Sequence, residues 1–121
     1  MKKRILIIDD EKSVGTILKF NLNQSGYTVL STYNPTEGIE MANNMEIDLF
    51  ILDVAIPGMN GIDICAYLRG IPRYAETPIL MISSKSDIET HGAAQRAGAN
   101  EYILKPFPFE LLSDKIKQYL S

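Results

Sequence analysis

Cysteine, positive charge and long apolar runs are all scarce in this chain. Cys65 is the one cysteine in 121 residues, so no internal disulfide forms, which fits a reducing cytosol. Lysine and arginine number 12 against 15 aspartates and glutamates, for a net charge of −3. With no basic stripe, the composition argues against direct nucleic-acid binding. Lys2-Lys3-Arg4 reads as the solvated flank of a strand. The apolar run that follows stops at Asp9-Asp10, short of the roughly 7–15 apolar residues of a secretory signal. No run approaches the roughly 20 residues that span a bilayer. A cytoplasmic protein without membrane contact is the expectation. Repeats, low-complexity tracts and linker-like stretches are also missing, so residues 1–121 are read as one domain.

What is present is alternation. Apolar runs at Arg4–Ile8, Leu49–Leu52 and Pro78–Ile82 are nearly continuous, as suits strands buried on both faces of a parallel sheet. Tyr27–Thr32 is more mixed, like an edge strand, and Tyr102–Leu104 supplies a fifth. Between the strands lie helical spacings: Val14, Ile17, Leu18 and Leu22; Ile39, Ala42 and Met45; Ile62, Cys65 and Leu68; Phe109, Leu112, Ile116 and Leu120. Asn34-Pro35-Thr36-Glu37 carries a capping amide, a proline at the first helical position and a glutamate three residues after the cap. Ser86-Asp87-Ile88-Glu89 reads as a capping box that opens a fourth helix ending at Gly98. That helix offers Ile88, Ala93, Ala94 and Ala97 for burial, around an interior Gly92. So little apolar area predicts an element that shifts at low cost. The whole pattern predicts an α/β fold: a doubly wound, five-stranded parallel sheet with helices on both faces. Sequence physics does not choose among the doubly wound strand orders.

Four of the five strands end in polar residues: Asp9-Asp10, Asp53, Ser83 and Lys105. In a parallel sheet these ends share one edge, where ligands bind. Two like charges about 4 Å apart repel by roughly 4 kcal/mol at an effective dielectric near 20. Three carboxylates gathered there therefore need protons, a cation or a metal ion. All-oxygen ligation suits Mg²⁺, with Mn²⁺ as a substitute. Lys105 supplies a compact charge for a carboxylate or a phosphoryl oxygen, and Ser83 a hydroxyl donor. Asp53 can then attack phosphorus, forming an acyl phosphate.

At Asp9-Asp10, Asp53 with Pro57-Gly58-Met59-Asn60-Gly61, Ser83 and Lys105-Pro106-Phe107, the chain resembles the receiver domain of two-component response regulators. The resemblance covers the whole chain and implies a flavodoxin-like sheet order of 2-1-3-4-5. It implies that Asp53 accepts a phosphoryl group from a sensor histidine kinase or phosphotransfer protein. Mg²⁺ would be held by Asp10 directly, by Asp9 largely through water, by Asp53, and by the backbone carbonyl of Ala55. Ser83 and Lys105 would contact the phosphoryl oxygens, and Lys105–Pro106 would be a cis peptide. Tyr102 would be the switch aromatic, turning inward as Ser83 is drawn toward the phosphate. The fourth helix, fifth strand and fifth helix would then present a changed surface to an effector domain or protein, or to a second copy in a homodimer. The chain would catalyse only its own phosphorylation and dephosphorylation, and would not be an enzyme acting on other substrates. Ala55, Ser84 and Lys85 occupy positions that tune the site. Ala55 cannot orient a water, which predicts slow loss of phosphate, and small Ser84 leaves room for the phosphodonor.

Rival readings are weaker on named residues. A phosphotransferase of the haloacid-dehalogenase type needs a second acid two residues after its nucleophile, where this chain has Ala55. A nucleotide- or flavin-binding domain needs a glycine-rich loop after the first strand, where this chain has the acidic Asp9–Ser13. A degenerate receiver that docks without phosphorylation would not need its acidic, hydroxyl and lysine positions complete. Cys65 reads as a small core hydrophobe, Met41, Met45, Met59 and Met81 as core or turn filler, and His91 as an exposed residue on a polar helix stretch.

Overall fold

The computed structural model describes residues 2–121. Its strands are β1 (Arg4–Ile8), β2 (Thr28–Thr32), β3 (Leu49–Asp53), β4 (Ile79–Ser83) and β5 (Glu101–Leu104). Its helices are α1 (Lys12–Gln24), α2 (Pro35–Asn44), α3 (Gly61–Arg69), α4 (Ile88–Ala97) and α5 (Phe109–Leu120), with a 3-10 turn at Pro72–Tyr74. All strand pairs are parallel, in the order β2-β1-β3-β4-β5, as the resemblance implied. Every residue of β3 and β4 is buried, which explains why those stretches lack polar alternation.

Side chains leave the sheet alternately on its two faces. Leu6, Ile8, Phe50, Leu52, Ile79 and Met81 pack with Ala42 of α2, Ile64, Cys65 and Leu68 of α3, and Ala94 of α4. Ile5, Ile7, Leu49, Ile51, Leu80, Ile82 and Ile103 pack with Leu18 and Leu22 of α1 and Leu112 and Ile116 of α5. The face carrying α1 and α5 is thus separate from the face carrying the other three helices. No helix among the described residues is long and apolar enough to cross a membrane.

Local expectations held at some helix ends and slipped by a residue at others. Asn34 Oδ1 accepts from the backbone N–H groups of Thr36 and Glu37 at 2.9 and 3.2 Å, capping α2. Asp87, not Ser86, caps α4: its Oδ2 accepts from Thr90 N at 2.9 Å and from Thr90 Oγ1 at 2.6 Å. A carboxylate that takes both donors of one threonine outcompetes a hydroxyl one residue earlier. Gly98 ends the same helix in the left-handed region, at φ 107°. Ile88, expected to be buried, is 88% exposed, and Ala94 is the buried residue of α4. Ile17 is likewise 59% exposed on the flank of the apolar stripe of α1. Met45 lies just past the end of α2, half-buried.

Candidate functional site

The loops that leave β1, β3, β4 and β5 open onto one edge of the sheet, and the polar residues of the strand ends meet there. Asp9 and Asp53 are buried at 2% and 3% exposure, Ser83 is fully buried, and Asp10 is exposed. Asp9, Asp10 and Asp53 each offer a carboxylate oxygen, and the three oxygens lie within 4.8 Å of one another. Lys105 reaches in from the end of β5. Its Nζ lies 3.0 Å from Asp9 Oδ2, 3.2 Å from Glu11 Oε1 and 3.3 Å from Asp53 Oδ2.

Backbone groups fix one oxygen of each buried acid and leave the other for the site. Glu11 N donates to Asp9 Oδ1 at 2.8 Å, and Ala55 N donates to Asp53 Oδ1 at 3.1 Å. Asp9 Oδ2 is buried and accepts no aligned hydrogen bond, despite its proximity to the Lys105 ammonium. Gly61 sets the depth of the pocket floor, since a Cβ there would collide with the backbone carbonyl of Asp53. Only glycine lets the start of α3 close so tightly on the end of β3.

The electrostatics follow from crowding. Burial, then the charge of Asp9, push the Asp53 carboxyl above its ordinary pKa, against the opposing pull of the Ala55 N–H and Lys105. What shielding Asp10 has, followed by its hydrogen bond to Asp53 and the charges of Asp53 and Glu11, raises its carboxyl too. Burial works against the charge on Lys105, but Asp9, Asp53 and Glu11 outweigh it and the pKa is pushed up to about 12. One ammonium among four carboxylates leaves the pocket net negative. A hard dication fits this all-oxygen set, with an unsatisfied buried oxygen already in place.

The remaining expected residues lie around this centre. Ser83 Oγ accepts from Lys85 N at 2.9 Å, and Lys105 N donates to Ser83 O at 2.8 Å, closing the ends of β4 and β5 together. Ser84 and Lys85 are exposed on the loop after β4, and Ala55 is exposed in the turn after β3. Lys105–Pro106 is a cis peptide bond. Tyr102 is half-buried, and its hydroxyl donates to Lys85 O at 2.7 Å. Sequence reasoning gave Glu11 no role, although the acidic run Asp9-Asp10-Glu11 placed it beside the site. It also missed a groove of about 490 Å³ beside Lys105, lined by Val14, Ile17, Leu18, Phe107 and Phe109 among others. The exposed Ile17, which looked like a core residue, forms part of its wall.

Comparison with known proteins agrees with this geometry. The sequence pattern of the response regulator receiver domain matches residues 5–117. The chain is 35% identical over 120 residues to the alkaline phosphatase synthesis transcriptional regulatory protein PhoP of Bacillus subtilis (strain 168), covering 99% of this chain and 49% of that protein. It therefore spans about half the length of that curated relative. Among solved structures, the chemotaxis protein CheY4 of Vibrio cholerae superposes with a TM-score of 0.94 at 28% identity, covering 99% of this chain and 100% of that one. The BeF3-activated N-terminal receiver domain of RstA from Klebsiella pneumoniae superposes with a TM-score of 0.89 at 27% identity, covering 98% of both chains. With a family pattern that runs from the first strand into the last helix, the chain belongs to the response regulator receiver domain family.

Proposed function

We propose that this receiver domain is a phosphoacceptor switch whose reacting group is the Asp53 carboxylate. The supporting observation is the convergence of Asp9, Asp10, Asp53 and Lys105, in which Lys105 Nζ sits 3.3 Å from Asp53 Oδ2 within a net negative pocket. Asp53 Oδ1 is held by Ala55 N, which leaves Oδ2 to attack phosphorus. The donor is the phosphohistidine of a sensor histidine kinase or phosphotransfer protein. An O–P bond forms on Asp53 as the N–P bond breaks, and the departing imidazole keeps the electron pair. Lys105 then exchanges part of its contact with the carboxylates for the phosphoryl oxygens, and Ser83 donates its hydroxyl proton to them.

Asp9, Asp10 and Asp53 would hold Mg²⁺, with Mn²⁺ as a substitute and the Ala55 carbonyl as a further ligand. The ion would neutralise charge that develops on the transferred group. The domain turns over no separate substrate; it catalyses only the gain and loss of its own phosphoryl group. Output passes through the face of α4, β5 and α5 to an effector domain or protein, or to a second copy of the chain, without contact between this domain and nucleic acid. The setting is the cytoplasm, where such phosphodonors reside.

Mass spectrometry after incubation with acetyl phosphate and Mg²⁺ tests the reading. One phosphoryl adduct is expected, absent from Asp53→Ala and suppressed by a chelator. An adduct that persists in Asp53→Ala, or none in the parent chain, overturns it.

A further inference from the structure

Three contacts lead outward from Ser83 to the surface of α4. Lys85 N donates to Ser83 Oγ at 2.9 Å, and the Tyr102 hydroxyl donates to Lys85 O at 2.7 Å. The Tyr102 ring in turn stacks on the His91 imidazole, with centroids 4.8 Å apart and planes 15° from parallel. Ser83 is fully buried and His91 is exposed, so four residues connect the floor of the site to solvent. His91 is the one histidine of the chain, and the acidic cluster makes no use of it.

A serine hydroxyl that accepts one hydrogen bond has its own proton left to give elsewhere. With Lys85 N on Ser83 Oγ, that proton is available to an oxygen arriving beside Asp53. Lys85 keeps this orientation only while its exposed loop stays put, and its carbonyl is anchored by Tyr102. Tyr102 projects from an edge strand, where a ring with one bare face has room to change rotamer. The imidazole covers that face at a spacing within the favourable range for aromatic pairs.

We propose that His91 is a positioning residue for Tyr102 and, through Tyr102 and Lys85, for the Ser83 hydroxyl. Loading of the Asp53 site is then felt at the exposed imidazole. This rests on the phosphoacceptor reading of Asp53. An aromatic pair of this kind corresponds to roughly a two- to tenfold effect on an equilibrium to which it is coupled.

The test uses fluoroberyllate with Mg²⁺ as the aspartyl-phosphate mimic. Because the chain has one histidine, its Hε1 proton is an unambiguous NMR reporter. In the unloaded chain, Tyr102→Leu is expected to move that resonance by removing the ring current. In the parent chain, adding Mg²⁺ and fluoroberyllate is expected to move it as well. His91→Ala is expected to weaken fluoroberyllate binding, read from the bound ¹⁹F signal, by roughly two- to tenfold, and His91→Phe to restore it. An Hε1 resonance indifferent to Tyr102→Leu or to loading overturns the proposal, as does equal affinity in His91→Ala. Absence of bound fluoride in the parent chain would instead remove the phosphoacceptor reading, and this inference with it. Binding that ignores His91 removes the inference alone. Because His91 is exposed, its substitution leaves the fold in place.

Discussion

The two edges of the sheet handle charge in opposite ways. At the edge where β3, β4 and β5 begin, the Arg69 guanidinium is saturated with acceptors. Nε and Nη2 donate to Gly98 O at 3.1 and 2.8 Å, Nη1 to Tyr74 O and Thr77 O at 2.8 and 2.6 Å, and Nη2 also to Asn100 Oδ1 at 2.9 Å. Nearby, the buried Tyr74 hydroxyl lies 2.7 Å from both Ala42 O and Met45 O and accepts from Ile47 N at 3.3 Å. At the opposite edge, three carboxylates share one lysine with a fourth, Asp10, beside them, and a buried oxygen of Asp9 accepts no hydrogen bond among the described residues. One edge satisfies its polar groups from within the chain; the other leaves a deficit that a cation would offset. Polar satisfaction and polar deficit sit at different ends of the same strands.

Substitutions at the two edges should therefore differ in sign. Arg69→Ala orphans several carbonyls at once and is expected to destabilise the domain by about 3–4 kcal/mol, measured by urea denaturation. Asp53→Asn relieves repulsion instead and is expected to stabilise the ion-free domain by about 1–2 kcal/mol while abolishing the phosphoryl adduct. A destabilised Asp53→Asn would break the contrast. Mg²⁺ should stabilise the parent chain by about 1.4 kcal/mol at ten times its dissociation constant, and much less so Asp10→Asn. Arg69→Met should retain that Mg²⁺ response even as its baseline falls.

Acid sharpens the same contrast. The raised Asp53 pKa means that its folded state gains stability as pH falls through that pKa, so the advantage of Asp53→Asn should shrink on acidification. Glu101 behaves oppositely, because the Tyr119 hydroxyl, at 2.6 Å, and then Lys115 hold its carboxyl below the ordinary value. Its contribution is full above the ordinary carboxyl range and is lost as pH falls through the lowered pKa. Glu101 in turn pushes the Tyr119 phenol up to about 12, so the hydroxyl's share persists below the ordinary phenol value of about 10 and fades as pH rises through about 12. Tyr119→Phe removes the alkaline arm and leaves only the Lys115 share of the acid one, an effect held below about 1 kcal/mol by solvent screening and read from denaturation at several pH values. The smallest expected change is kinetic. Ala55→Gln should shorten the phosphoryl lifetime by offering a water a polar partner, which loss of the adduct over time would measure.

The acidic end was legible in the sequence because topology does the gathering. Once strands are parallel, Asp9, Asp53, Ser83 and Lys105 share an edge regardless of side-chain detail. Helical faces were less legible, since Ile17 and Ile88 sit where a small rotation decides between core and solvent, and Ser86 and Asp87 compete for one cap. The Arg69 and Tyr74 network left no signal at all. Its acceptors are mostly backbone carbonyls, up to 32 residues away, and backbone carbonyls look alike at every position. Glu11 was overlooked because it lies beyond the end of β1, at the N-cap of α1, where strand topology does not fix the direction of its side chain.

Tyr119 and Lys115 both grip Glu101 across the outer strand, at 2.6 and 3.1 Å, which ties the last helix to that strand. Its neighbour α4 has Ala94 as its buried foothold. A partner lying across both, as the proposed output face requires, would rest one side on a helix tied to its strand by polar contacts and the other on a helix with one small buried residue. Such a partner would sense an offset between two surfaces, and a substitution that frees Tyr119 is expected to blur it even with the carboxylates untouched.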